Sequence, residues 1–480
     1  MNATSSLFSK KTLSLLLALI GFLLPFFLHI PGLPPAGHRL LSIFLLAVIL
    51  WVTEPIPLFA TSSVVILALV LFLSDMSAKL TWAWGAADGF ANGAPPPYTV
   101  FMGSLANKVL ILFLGGFFIA FGAAKFGVDK NLAAIVIKPF GTKPTRVLLG
   151  LMLITAVLSM WMSNTATTAT MMAVVLPIIH RLDAKDKFRA ALALGVPFAA
   201  NIGGIGTPIG TPPNAIALGA LAKINPETGE ALGKCSFLQW MIFAVPIALV
   251  VLFVAWSLLS LLFRCSQKAI VVDMDVKWEK SRNAIIYYAT AIFTIGLWVT
   301  GSLHGIDSYV TGLFPVAILL STGVVTTKDF RSLEWDVLWL VAGGVALGEG
   351  VAATGFDKWL VGLVEWNTFG PTMLGVTICG CALLMSTFIS NSAATNLLAP
   401  IAVAVATAAG GEIITIVIFV ALGASMAMSL PISTPPNAIA YSTGCVSTKQ
   451  MATAGGLVAV IGLGLALLIL HPLLKLAGVL

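Results

Sequence analysis

Charge is what this 480-residue sequence has least of. Only 9% of its residues are Asp, Glu, Lys or Arg, against roughly 25% in an ordinary soluble domain. With 59% hydrophobic residues and a mean hydropathy of +1.02, the charge-free stretches form long apolar blocks. Each is about as long as the roughly 20 residues that a bilayer-spanning helix needs. A chain of this kind has no soluble solution, and its solvent is lipid. The five cysteines (Cys235, Cys265, Cys379, Cys381, Cys445) form no CxxC pair or His/Cys cluster and read as small packing residues. The five histidines are isolated, and HExxH, GxSxG and GxxxxGKS/T are all absent. An enzyme therefore has no constellation to stand on. Neither a cofactor nor a nucleic-acid partner is expected, because in a membrane chain the location of the +7 net charge matters more than its size.

What is present is a series of apolar runs. They predict eleven spans, at 13–30, 40–53, 58–73, 109–126, 190–221, 240–263, 284–300, 308–325, 337–351, 413–441 and 455–476. The fifth and tenth are internally broken. Two further apolar blocks, 146–179 and 372–407, are interrupted by polar residues. Lys10 and Lys11 ahead of the first run resemble a signal peptide. That run ends in Pro31-Gly32-Leu33-Pro34-Pro35 with no small-x-small cleavage site, so it reads as a retained span.

The two halves repeat. Leu114-Gly115-Gly116, followed by Gly127-Val128-Asp129-Lys130, recurs 228 residues later as Ala342-Gly343-Gly344 and Gly355-Phe356-Asp357-Lys358. Ser163-Asn164-Thr165 recurs as Ser390-Asn391-Ser392, and Thr211-Pro212-Pro213-Asn214-Ala215-Ile216-Ala217 as Thr434-Pro435-Pro436-Asn437-Ala438-Ile439-Ala440. Three matches in one order mark an internal duplication. If the interrupted blocks are re-entrant hairpins, the ninth span follows the fourth by five crossings. The repeats are then inverted, as in many secondary transporters. With the N-terminus cytoplasmic, this topology puts 19 of the 26 Lys and Arg on the cytoplasmic side and 7 outside, in accord with the positive-inside rule. The seven are Arg39, Lys79, Lys108, Lys223, Lys234, Lys358 and Lys475. The C-terminus is expected outside.

Polar residues and broken backbone at membrane depth are tolerated only where protein buries them or where they line a cavity. A hairpin turning at Ser163-Asn164-Thr165 brings hydroxyls, an amide and a helix N-terminus to mid-membrane, an arrangement suited to an anion. Ser159, Thr167, Thr168 and Thr170 accompany the first tip. Ser386, Ser390, Asn391, Ser392 and Thr395 repeat the pattern in the second half. The prolines of the Thr-Pro-Pro-Asn segments remove backbone donors and are expected to free carbonyls one turn back for Na⁺. Gly210 and Ser433 precede them and would let backbone approach an ion. Neither tip and neither Pro-Pro break carries Asp, Glu, Lys or Arg, so a bound anion would need co-bound cations as its counter-charge. Glu54 and Glu349 read as structural or helix-end groups rather than proton relays. Trp51, Trp240 and Trp339 read as interface anchors or packing.

The paired Ser-Asn-Thr and Ser-Asn-Ser tips, the Thr-Pro-Pro-Asn breaks and the turn Trp51-Val52-Thr53-Glu54-Pro55-Ile56-Pro57 resemble the divalent anion/sodium symporter family. This family is also called INDY-type or solute carrier family 13. The resemblance covers essentially the whole chain. It implies an all-α polytopic protein of the inner membrane that takes up di- and tricarboxylates such as succinate, malate, fumarate or citrate by coupling to Na⁺. It also implies a homodimer working as an elevator. Residues 1–139 and 281–364 would form the scaffold, and 140–265 and 365–480 the transport unit. Carried over by motif, one Na⁺ site would use Ser159, Ser163, Asn164 and Gly210, and the second Ser386, Ser390, Asn391 and Ser433. Substrate carboxylates would meet Ser163, Asn164, Thr165, Thr211, Ser390, Asn391, Ser392 and Pro435. Ser392 stands where the family commonly has Thr, which keeps the hydroxyl and loses the methyl. Ser433 stands where Ala is frequent. A dicarboxylate exchanger, a sulfate carrier and an anion channel are the alternatives.

Overall fold

A computed structural model describes residues 10–77, 89–223, 231–270, 276–364 and 370–480. Lys79 and the first residues of the expected 365–480 unit lie outside the described residues. Among the described residues every long element is a helix, as a chain in lipid requires when each backbone group must find its partner locally.

Helix α1 (Lys10–Phe27) is followed by α2 (Pro35–Thr53) and α3 (Leu58–Leu73). The second helix begins five residues earlier than its apolar run, because Pro35 sits at the first helical position, where its missing N–H costs nothing. It ends where Glu54 adopts φ 45° ahead of Pro55. Glu54 is exposed, which bears out its helix-end reading. A short α4 (Tyr98–Met102) leads to α5 (Lys108–Lys125) and α6 (Val128–Ile137). Next come α7 (Pro144–Ser159) and α8 (Asn164–Arg181), which together form the first hairpin, then α9 (Phe188–Gly204), α10 (Pro212–Leu221) and α11 (Phe237–Leu262).

The second half repeats this order. It contains α12 (Arg282–Val299), the short α13 (Gly301–His304) and α14 (Ser308–Thr311), α15 (Leu313–Ser321), α16 (Thr327–Arg331), α17 (Trp335–Thr354) and α18 (Phe356–Gly362). The second hairpin is α19 (Pro371–Phe388) with α20 (Asn391–Ala408). The chain closes with α21 (Ile413–Ser425), α22 (Pro435–Ser442) and α23 (Thr448–Leu476). The sequence reading omitted α6 and α18. Each starts at a glycine with positive φ (Gly127 at 65°, Gly355 at 64°) and carries an Asp in its first turn. The repeated Gly-x-Asp-Lys motif is therefore a helix start. The left-handed conformation needs glycine, and the acid complements the helix dipole.

Seven of the described helices are long and apolar enough to cross a membrane, and five shorter apolar helices accompany them. The expected eighth span is in fact α14 and α15, broken at Gly312. There the backbone crosses α5 so closely that a Cβ on Gly115 would collide with the Gly312 carbonyl. Packing is crosswise between halves: α3 lies along α17, and α5 along α14 and α15. A second group forms where α7 packs on α9 and α19 on α21, with α11 along α23. Lys125 pairs with Asp329 at 2.6 Å, Asn131 bonds the Lys277 backbone, and Asp186 accepts from Ser266. Lys108 lies over the Tyr309 ring, and Lys223 is 3.9 Å from Glu349. That last pair bears out a structural role for Glu349. Trp51 and Trp240 are fully buried, so they are packing residues and not interface anchors.

Candidate functional site

The two hairpin tips are built alike. Ser163 caps α8 and Ser390 caps α20, each side-chain oxygen accepting from the N–H three residues on. One turn before each tip a buried serine faces the tip asparagine. Ser159 Oγ lies 2.7 Å from Asn164 Oδ1 and 2.8 Å from the Ala200 carbonyl. Ser386 Oγ lies 2.7 Å from Asn391 Oδ1 and 2.8 Å from the Ala424 carbonyl. A hydroxyl has one proton. It can satisfy one of these acceptors and leaves three oxygens converging on a single hydrogen. Such an electron-rich cluster, made of a hydroxyl, an amide carbonyl and a backbone carbonyl near a helix end, suits a hard cation.

Both Pro-Pro segments break their spans, as expected. The prolines occupy the first two positions of new helices, α10 and α22, so they displace no hydrogen bond within a helix. The non-helical connectors 205–211 and 426–434 precede them. Within them the motif asparagine takes the Ile205, Thr207 and Leu430 carbonyls. The two protons of Asn214 Nδ2 are shared among the Gly204 (2.9 Å), Ile205 (3.3 Å) and Thr207 (2.8 Å) carbonyls, and Asn437 Nδ2 donates to Leu430 (3.0 Å). Each connector is also stitched to its hairpin. Thr207 Oγ1 donates to the Met160 carbonyl, and Ser433 Oγ to the Thr387 carbonyl at 2.8 Å. Gly210 packs so close to Gly204, and Gly204 to Asn164 Oδ1, that a Cβ on either would collide with its neighbour.

Among the expected ligands, hydrogen bonds join Ser159 to Asn164 and Ser386 to Asn391. Asn164 Nδ2 approaches Asn201 Oδ1 at 3.4 Å, and Asn201 Nδ2 donates to Thr434 Oγ1 (3.2 Å) and Asn437 Oδ1 (3.3 Å). The first hairpin is thereby tied to the second break. Thr211 is buried, Ser392 is half-buried, and Thr165 and Pro435 are exposed. No hydrogen bond joins these four side chains to the other expected ligands.

Two residues escaped the sequence reading. Asn201 is fully buried in an apolar run, and a lone amide in such a run was the signal. Glu334 had none. It precedes α17, and its Oε1 accepts from Ser163 Oγ at 2.7 Å across 171 residues. The motif segments carry no ionisable side chain, yet the folded site has a carboxyl beside it. Burial pushes the Glu334 carboxyl above the ordinary glutamate value; the Ser163 hydrogen bond opposes this, and Asp336 adds to it. A cleft of about 710 Å³ lined by Lys108, Lys234, Asp307 and Tyr309 shares no residue with the tips.

Comparison with known proteins comes to the same part of protein space. Residues 7–476 match the family described as the sodium:sulfate symporter transmembrane region. The sodium-dependent dicarboxylate transporter SdcS of Staphylococcus saprophyticus is 29% identical over 489 aligned residues, covering 93% of this chain and 88% of that protein. SdcS of Staphylococcus aureus strain RF122 is 29% identical over 486, with the same coverage. The solved structure of Neisseria gonorrhoeae MtrF, from a class of antimetabolite efflux pumps, covers 88% of this chain and 96% of its own, with a TM-score of 0.51 and 10% identity. That last likeness is one of fold.

Proposed function

This chain belongs to the sodium:sulfate symporter family, and from that premise we propose that it carries dicarboxylates such as succinate, malate or fumarate, and tricarboxylates such as citrate, into the cell by coupling to Na⁺. It is a multi-pass membrane transporter and not an enzyme. The observation that carries the reading is the pair of matched oxygen clusters, Ser159–Asn164–Ala200 and Ser386–Asn391–Ala424. Each presents a cation with more acceptors than protons. The relatives named as sodium-dependent dicarboxylate transporters support the ion and the substrate class.

In this reading the first Na⁺ is held by Ser159, Ser163, Asn164 and the Gly210 backbone, the second by Ser386, Ser390, Asn391 and Ser433. The substrate carboxylates meet Ser163, Asn164, Thr165, Thr211, Ser390, Asn391, Ser392 and Pro435. The two helix N-termini add partial positive charge. Residues 1–139 and 281–364 act as a scaffold and the two hairpin-bearing units move against it in a homodimer of the inner membrane. The packing of α3 on α17 and of α7 on α9 with α19 on α21 supports that division. The charge distribution supports a cytoplasmic N-terminus and an external C-terminus.

The test is uptake of labelled succinate into proteoliposomes. A Na⁺ gradient should drive accumulation where a K⁺ gradient does not, and uptake indifferent to Na⁺ sinks the reading. Uptake that requires internal succinate identifies an exchanger, and current far above coupled turnover identifies a channel.

A further inference from the structure

The near-symmetry of the two halves fails at one buried point. In the second half, Asn437 Nδ2 is tied to the Leu430 carbonyl, which turns Asn437 Oδ1 toward Asn201. The Asn201 amide then donates to both Asn437 Oδ1 and Thr434 Oγ1. In the first half, Asn214 Nδ2 is tied to the matching carbonyl of Thr207, and Asn214 Oδ1 has no partner. The residue matching Asn201 follows from the serine contacts: Ser159 meets Ala200 as Ser386 meets Ala424, so Asn201 corresponds to Ser425. Ser425 Oγ is also buried without a partner. Helix α21, which ends at Ser425, packs on α10, which carries Asn214, just as α9 packs on α22. Thr211, the counterpart of Thr434, makes no side-chain cap bond, whereas Thr434 accepts from the Asn437 N–H.

One side of the pseudo-twofold therefore has an amide donor between two oxygens. The other has two buried oxygens without a partner, Ser425 Oγ and Asn214 Oδ1, beside the buried Thr211, and a side chain with two fewer heavy atoms. Buried acceptors of this kind are costly unless a donor or a cation meets them. We propose that Ser425 Oγ, Asn214 Oδ1 and Thr211 Oγ1 hold a further Na⁺ between α21 and α10, separate from the two hairpin clusters. The cation does on this side what the Asn201 amide does on the other. The inference rests on the sodium-coupled reading above.

Ser425→Asn supplies the missing amide and Ser425→Ala removes one oxygen. In proteoliposomes, opposed Na⁺ and succinate gradients are varied until net succinate flux vanishes, which gives the number of Na⁺ carried per succinate. Ser425→Asn should carry one Na⁺ fewer than the unmodified protein. Ser425→Ala should need several-fold more Na⁺ for half-maximal uptake. The same shift should appear in a Na⁺ titration of thermal stability on the detergent-purified protein, which needs no substrate. That titration also keeps the test open if Ser425→Asn does not fold. An unmodified protein driven by Na⁺, with both variants matching its ratio and titration, assigns the three oxygens to water and overturns this inference alone. An unmodified protein indifferent to Na⁺ overturns the coupling itself, and this site with it.

Discussion

Glu334→Ala is the substitution that most directly questions how the first hairpin is held. Ser163 belongs to the hairpin tip and Glu334 to the start of α17, and their 2.7 Å hydrogen bond is a polar link between the two. A hydrogen bond to an ionised acceptor contributes about 1.5–3 kcal/mol. Glu334 is partly exposed, which puts this one near the low end. About 1.5 kcal/mol is about a tenfold change in an equilibrium constant. Removing the carboxylate should lower the population of the observed arrangement about tenfold against any arrangement in which the tip has left α17. It also frees the Ser163 hydroxyl for a cation. Spin labels at His180 on α8 and Lys328 on α16, the short helix that leads into α17, both exposed, report how far the hairpin sits from that segment. The Ala variant should shift weight from the short distance to a longer one, and Glu334→Gln, which keeps a neutral acceptor, should fall between. Identical distance distributions in all three proteins would refute a latch.

Asn164→Ala and Asn391→Ala should each abolish transport while leaving expression and membrane insertion near normal; near-normal uptake by both variants removes the site assignment. Gly344→Ala should destabilise the protein by about 1–3 kcal/mol, because its Cβ would collide with Asn396 Oδ1, whose amide is anchored to the Leu340 carbonyl at 3.0 Å. Gly380→Ala, on α19 with nothing within 4 Å of the added atom, should be neutral or slightly stabilising, and paired melting curves check the contrast. Asp186→Asn should lower thermal stability by about 1–2 kcal/mol. Burial pushes this carboxyl up, yet bonds from Ser266 and the Phe188 N–H outweigh it and hold the group below the ordinary aspartate value. Its contribution is therefore present above that ordinary value and lost as pH falls through the lowered one. The gap between unmodified and Asn proteins should persist at neutral pH and close in strong acid.

The elements most legible in the sequence were those whose signal is local or repeated. Apolar runs mark α5, α11 and α17 to within a few residues, and the duplicated tips mark both hairpins. The break at Thr211-Pro212-Pro213 was legible, but not that the prolines open a new helix, since a proline pair looks the same whether it kinks one helix or starts another. Only the partners of Asn214, reached by folding the connector back, tell the two apart. The short α6 and α18 fell below the length at which periodicity speaks. Asn201 and Glu334 act through contacts with residues 37 to 236 positions away. No spacing rule within one segment could have joined Glu334 to Ser163.

The crosswise packing of the halves has a consequence for how the protein is made. Gly115 seats against Gly312 and Gly343 against Ser62, so in each contact the glycine and its partner come from different halves. The same exchange joins α9 to α22 and α10 to α21. As the chain leaves the ribosome, residues 1–265 enter the membrane with α3, α9 and α10 still lacking the surfaces they pack against. Chains whose contacts are this distant in sequence assemble late, and the first half must wait in lipid with its small residues and buried amides exposed. Synthesis of the second half is then also the step that folds the first.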